Sequence, residues 1–267
     1  YEPIPYVLTY GASLESRLWA MRLASSLLLL FVVVISYRLA RQFGSHGFGL
    51  TVATLVGFLP TMGHVFSGVS NDAGFIFMST VVLWLLVRWF QSAPTRRDLL
   101  IGAIAIGITA FMKQPGWIFL PLGMFVALWT VPVGQRLKSA LILAGLAGVI
   151  GASWTVLGWL DPTVVPVYGG GPIQNHTVSQ ILANDLNRRG IIVFASWWGH
   201  FGWSGLSAFI SVAAIRLLLL VGLVAGIGLI RGWRQESMRR ALTMFMVGYV
   251  FLEGLYQVLY WRNALHG

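Results

Sequence analysis

The stretch "LLIGAIAIGITAFMKQPGWIFLPLGMFVALWT", residues 99–130, decides how this chain is threaded. It is too long for one crossing of a bilayer, whose hydrocarbon core is about 30 Å thick and takes about 20 helical residues. Each half alone is short for a crossing. Between the halves lie Pro115 and Gly116, and a proline removes a backbone donor and clashes with the preceding turn. The stretch is either two short spans folded as a hairpin, with Lys113 and Gln114 at its tip, or one interrupted span.

Charge separates the two readings. Other apolar runs cover roughly 18–37, 47–66, 73–90, 137–158, 211–231 and 240–260. With the hairpin the chain has about eight spans, and the loops 38–44, 88–98, 134–138 and 231–240 share one side. They carry eleven of the 18 Lys and Arg residues, against only Asp98 and Glu236. The opposite side holds residues 1–17, "SGVSND", "MKQPG", the long loop 160–205 and the C-terminal "WRNALHG", with five of the 8 acidic residues. A single span would scatter the basic loops over both sides. Basic loops stay in the cytoplasm, so the distribution favours the hairpin and turns the 160–205 side outward.

Composition sets the class. Of 267 residues 57% are hydrophobic and 10% charged, with a mean hydropathy of +0.77, whereas a soluble domain carries about 25% charged residues. In lipid only helices and closed barrels satisfy every backbone group. Runs such as "LASSLLLLFVVVISY" do not alternate as barrel strands do. The fold class is therefore an all-α polytopic membrane protein. It forms a single transmembrane domain over 1–267, with 160–205 as an outer-loop subdomain. The start at Tyr1 and the ending "YWRNALHG" suggest an internal part of a longer chain. The net charge of +10 is accounted for by topology, without nucleic acid. Cysteine is absent, which excludes disulfides and thiolate chemistry.

Polar residues gather on the outer side. Asn71 and Asp72 open the third span, in "GVSNDAGF". They are candidate helix caps, since Asn and Asp accept from free N–H groups and the helix dipole favours a carboxylate there. Lys113 and Gln114 sit on the short hairpin, where short spans end below the membrane surface. A lysine at that depth needs a partner: a lipid phosphate, or Asp72 itself. His200 and Trp198 lie in "SWWGHFGW" (196–203), either an interfacial belt segment or an aromatic platform for a sugar or a polyprenyl chain. Trp19, Trp89, Trp129, Trp159, Trp233 and Trp261 fall near span ends, as in an aromatic belt. Arg22 and Arg216 can snorkel outward. Glu253 lies inside the last span, either as a functional carboxylate or as a helix–helix hydrogen bond. No Asp-x-Asp pair or spaced histidine set argues for a metal, and no cofactor motif is present.

The order of these motifs resembles bacterial GT-C type membrane glycosyltransferases, in a branch of predicted membrane proteins related to protein O-mannosyltransferases and lipid-linked aminoarabinose transferases. "YEPIPYVL" is similar to a Gln-Pro-Pro-Leu-Tyr-Tyr element, with Glu2 and Ile4 departing from it. "RLWAMRLASSLLLL" with "SYRLAR" resembles the Arg-Leu-x-Ser span, and "GVSNDAGF" the Asn-Asp-Ala opening. "GITAFMKQPGWIFLPL" looks like the Thr-Lys-x-x-Gly-x-x-x-x-Pro element, with an unusual Pro115. "SWWGHFGW" is similar to a Phe-Trp-Gly-x-Phe-Gly-Trp element, and "NALHG" to the start of a Gly-Arg-Tyr element. The resemblance covers almost the whole chain. It implies an enzyme of the bacterial inner membrane that transfers a sugar from a polyprenyl-phosphate donor at the outer face. Asn71, Asp72 and Lys113 would line its outer cavity. The family's acidic catalytic base lies in a loop before the element at Tyr1, so no catalytic residue carries over. The other reading is a non-catalytic accessory or scaffold subunit, partnered by other subunits of a membrane complex, which the departures at Glu2 and Pro115 favour. A transporter would show inverted repeats, and none is visible.

Overall fold

The structure, a computed structural model, describes residues 9, 11–68, 71–160 and 248. Among them the regular structure is helical throughout, with no strand. The chain divides into two units, Tyr1–Phe58 with Met62–Val167 and Leu59–Thr61 with Tyr168–Gly267. The first unit holds the described helices, apart from Pro60 and Thr61. The expected spans 211–231 and 240–260, apart from Gly248, and the outer-loop residues 161–205 lie outside the described residues.

Helix α1 (Leu14–Arg41) is capped by Ser13, whose hydroxyl accepts the Ser16 N–H at 3.2 Å. Glu15 lies in its first turn and Arg38 and Arg41 in its last, each charge at the end the helix dipole favours. The chain reverses into α2 (His46–Gly57), capped by Ser45 on the Phe48 N–H. Gly49 permits the close approach: a Cβ there would meet the Tyr37 ring and the Arg41 stem at 2.9 Å. Tyr37 Oη and His46 Nδ1 lie 2.8 Å apart across this turn.

The apolar run 47–66, expected as one span, is two helices. α2 ends at Gly57 and α3 covers Pro60–Ser67. Proline suits a first helical position, and it drives the residue before it out of the helical region. Pro60 therefore starts α3 and prevents α2 from reaching it.

Helix α4 (Asn71–Gln91) runs alongside α1 in the same direction. The Phe31 and Phe77 rings are 6.2 Å apart, and Gln91 Nε2 donates to the Gln42 carbonyl at 3.3 Å. Val32, Phe66 and Ala73 are buried where α1, α3 and α4 meet. This register sets the start of α4 about level with Ser25 on α1. The first turns of α1 thus stand roughly 15 Å beyond α4, at 1.5 Å per residue.

Helix α5 (Arg96–Met112) opens with a capping box. The Thr95 hydroxyl accepts the Asp98 N–H, and Asp98 Oδ2 accepts the Thr95 N–H and hydroxyl. Those bonds, chiefly from the Thr95 side chain and then its backbone, hold the Asp98 carboxyl below its ordinary value, with help from Arg88 and Arg97. The folded carboxyl gives up its proton more readily than the unfolded one. Its stabilisation is therefore complete above about pH 4 and is lost as pH falls through the lowered folded value. Thr95→Ala is expected to cost about 1 kcal/mol, read as a lower melting temperature at neutral pH, with a smaller difference from the native chain in strong acid.

After Lys113 a tight 3₁₀ turn (Gln114–Ile118) leads into α6 (Phe119–Thr130), and α7 (Arg136–Leu160) follows. Gly116 lies on Thr109, and Gly123 faces Ile106 and Leu86. α6 therefore returns along α5, and the hairpin expected over 99–130 is formed. α7 then runs parallel to α5: Gly107 lies against Ala147 and Ile150, and Gly151 against Ala110 and Trp117. Small residues let helices approach closely where lipid offers no hydrophobic drive to association.

Among the described residues three helices are long and apolar enough to cross a membrane: Leu14–Arg41, Asp72–Gln91 and Val133–Ser153. His46–Gly57 and Pro115–Thr130 are shorter apolar helices. Leu23, Leu27, Leu30 and Phe31 on α1 and Leu100, Ile101 and Ile104 on α5 turn outward, a surface suited to lipid tails. The tryptophan belt needs one correction. Trp19 and Trp129 are exposed, but Trp89 is 2% exposed. Its ring packs on Gly102, where a side chain would collide with it. Its Nε1 is buried without a hydrogen-bond partner among the described residues.

Candidate functional site

Two helix ends build the site. α4 begins at Asn71, with Asp72 in its first turn. α5 ends at Met112, and Lys113 leaves the helix in extended conformation (φ −157°, ψ 138°), its N–H still bonded to the Thr109 carbonyl at 3.2 Å. The ammonium of Lys113 donates to Asp72 Oδ1 as an ion pair. Because α4 and α5 are antiparallel, the positive end of the α4 dipole lies beside the negative end of the α5 dipole. Each end carries the charge its dipole favours. The pair is thus supported by two helices as well as by its own attraction.

Phe75, one turn beyond Asp72, holds its ring centroid 6.0 Å from Lys113 Nζ, within reach of a cation–π attraction. Both charged side chains keep access: Lys113 is 41% and Asp72 39% exposed. An ammonium has three donors, so one bond to Asp72 leaves others to offer. The register of α4 on α1 places the pair about a dozen residues below the top of α1.

Behind Lys113 the turn is fixed by backbone contact. The Gly116 N–H bonds to the Lys113 carbonyl at 2.8 Å. A Cβ on Gly116 would collide with the Thr109 carbonyl and come within 2.6 Å of the Ala110 nitrogen. The glycine is there because two backbones touch.

Of the six residues singled out in sequence, the structure brings Asp72 and Lys113 together, with Asn71 and Gln114 adjacent to them in the chain. Trp198 and His200 lie outside the described residues, as do Glu2, Arg216 and Glu253. Arg22 is exposed on α1, with its guanidinium 6.0 Å from the Trp19 ring centroid. Phe75 and Gly116 join the site only in three dimensions. A sequence signal exists for Phe75, because residues three apart share a helix face. Gly116 is legible as a helix breaker but not as a contact point. Among the described residues no three of His, Asp and Glu come together as a metal would need.

No curated protein and no solved structure matches the chain. A family does, over residues 1–263 and in agreement with the helices above: the chain belongs to the family described as predicted membrane protein (DUF2142).

Proposed function

We propose that this membrane protein is a GT-C-like glycosyltransferase that takes its sugar from a polyprenyl-phosphate donor at the outer face, with the basic loops in the cytoplasm. The observation that carries the reading is Lys113. It is an accessible cation at a helix break, with donors to spare beyond its bond to Asp72. A phosphate leaving group would be stabilised by such a cation. The acceptor hydroxyl would be deprotonated by a carboxylate, which the resemblance places in the loop before Tyr1. Asn71 and Gln114 would assist Lys113, and Trp198 and His200 are proposed, on sequence grounds alone, to bind the sugar or the polyprenyl chain.

The test is donor binding by the full chain in detergent, measured with a polyprenyl-phosphate sugar. Lys113→Ala is expected to weaken binding about tenfold to a hundredfold, as for loss of a charged hydrogen bond, while circular dichroism stays helical. Unchanged affinity in a folded variant would remove Lys113 from the site.

A second reading is favoured by the same pair. An ammonium and a carboxylate that satisfy each other at matched helix ends form a structural clasp and need no ligand. The protein would then be a scaffold subunit of a larger membrane complex. Co-purification with other subunits, together with a donor affinity too weak to measure, would decide for it.

A further inference from the structure

The opposite end of the helices carries a different feature. Arg38 and Arg41 close α1, Arg88 lies in the last turn of α4, Arg96 and Arg97 open α5, and Arg136 and Lys138 open α7. The contacts place them at one level: Gln91 reaches the Gln42 carbonyl, a short link joins α4 to α5, and α5 and α7 run in register through Gly107 and Ala147. All are exposed except Arg136, which is half-buried and bonds through Nε to the Val131 carbonyl at 3.1 Å. None of the seven lies within 4.0 Å of a carboxylate among the described residues; the ion pair found there is Asp72–Lys113. The described carboxylate at this end, Asp98, is engaged by Thr95 in the capping box.

Arg96 and Arg97 stand in the first turn of α5, where the helix dipole disfavours cations. Arg88 joins them from α4, near enough to act on Asp98 together with Arg97. The positive charge is therefore concentrated, and among the described residues Asp98 offsets only part of it. Directly below it the surface is apolar: Leu100, Ile101 and Ile104 on α5 and Leu137 and Leu141 on α7 are 40–72% exposed. Cations above an exposed apolar wall match one kind of partner, an amphiphile with an anionic head. A nucleic acid would use the charge and leave the wall unexplained.

We propose that Arg88, Arg96 and Arg97 form a binding site for an anionic phospholipid, its phosphate held by the guanidinium groups and its acyl chains lying along α5. Near a membrane surface each basic residue contributes about 1 kcal/mol towards anionic lipid, roughly fivefold in affinity.

Native mass spectrometry of the full chain, titrated in detergent with phosphatidylglycerol or phosphatidylcholine, tests this. The native protein is expected to retain phosphatidylglycerol at tenfold or more lower lipid concentration than phosphatidylcholine, and to lose that preference in high salt. The R88Q/R96Q/R97Q variant should bind both lipids alike, while R17Q/R22Q at the other end keeps the preference. If the triple variant is unstable, R96Q alone is expected to lose about fivefold. Equal retention of the two lipids by the native chain would overturn the site, as would an undiminished preference in folded R88Q/R96Q/R97Q or R96Q. So would an oligonucleotide that binds as tightly as phosphatidylglycerol.

Discussion

Gly116→Ala is expected to lower the stability of the purified protein by about 3 kcal/mol or more, and with it donor binding. The added methyl would push into the Thr109 carbonyl and the Ala110 nitrogen. Those are backbone atoms of the last turn of α5, and the Thr109 carbonyl already accepts the Lys113 N–H. Backbone cannot swing aside as a side-chain tip can. Either the 3₁₀ turn lifts off or α5 unwinds at its end, and both move Lys113 away from Asp72. Melting temperature by intrinsic fluorescence reads the stability, and the donor titration reads the site. Gly148→Ala is the matched control. A Cβ there has no neighbour within 4 Å, and alanine in a helix is favoured over glycine by up to about 1 kcal/mol, so no loss is expected. A Gly116→Ala protein with native melting and native binding would refute the backbone contact.

The second large effect is expected at the α5–α7 contact. A Cβ on Gly107 would lie 2.7 Å from the Ile150 Cβ and 3.1 Å from the Ala147 carbonyl oxygen. Gly107→Leu must separate the two helices along their length, at a cost of about 3 kcal/mol or more. Much of the protein is expected to aggregate on extraction, read as loss of the monodisperse peak in size-exclusion chromatography. Ile150→Ala in the same chain restores part of the space, so partial recovery of that peak is the expected result. Because the lipid bilayer offers these helices nothing better to bind than each other's small faces, the loss follows from shape and not from hydrophobicity.

Some of the architecture is legible in residue order alone. Hydropathy and run length mark α1, α4 and α7, because a lipid core imposes one length on any helix that crosses it. The hairpin over 99–130 can be read from loop charges, with Pro115 marking the break. The capping box at Thr95 and Asp98 is likewise local, since both partners lie within one turn.

Other features depend on atoms far apart in the chain. That Asp72 and Lys113 pair, 41 residues apart in sequence, follows from α4 and α5 lying antiparallel with matched dipole ends. Residue order alone leaves a lipid phosphate and a carboxylate open as partners of Lys113. Trp89 shares its composition and position with belt tryptophans, yet Gly102 on the next helix makes room to bury it. The break at Pro60 is by contrast local, and it escapes a hydropathy reading because hydropathy counts side chains while the break lies in the backbone. Sequence therefore determined which segments are long and apolar enough to cross a membrane and which end of them is basic, both being sums over local residues. Tertiary structure alone decided which side chains meet, since that depends on register between helices, and register is set by small residues such as Gly107 and Gly116 whose effect is felt only through their neighbours.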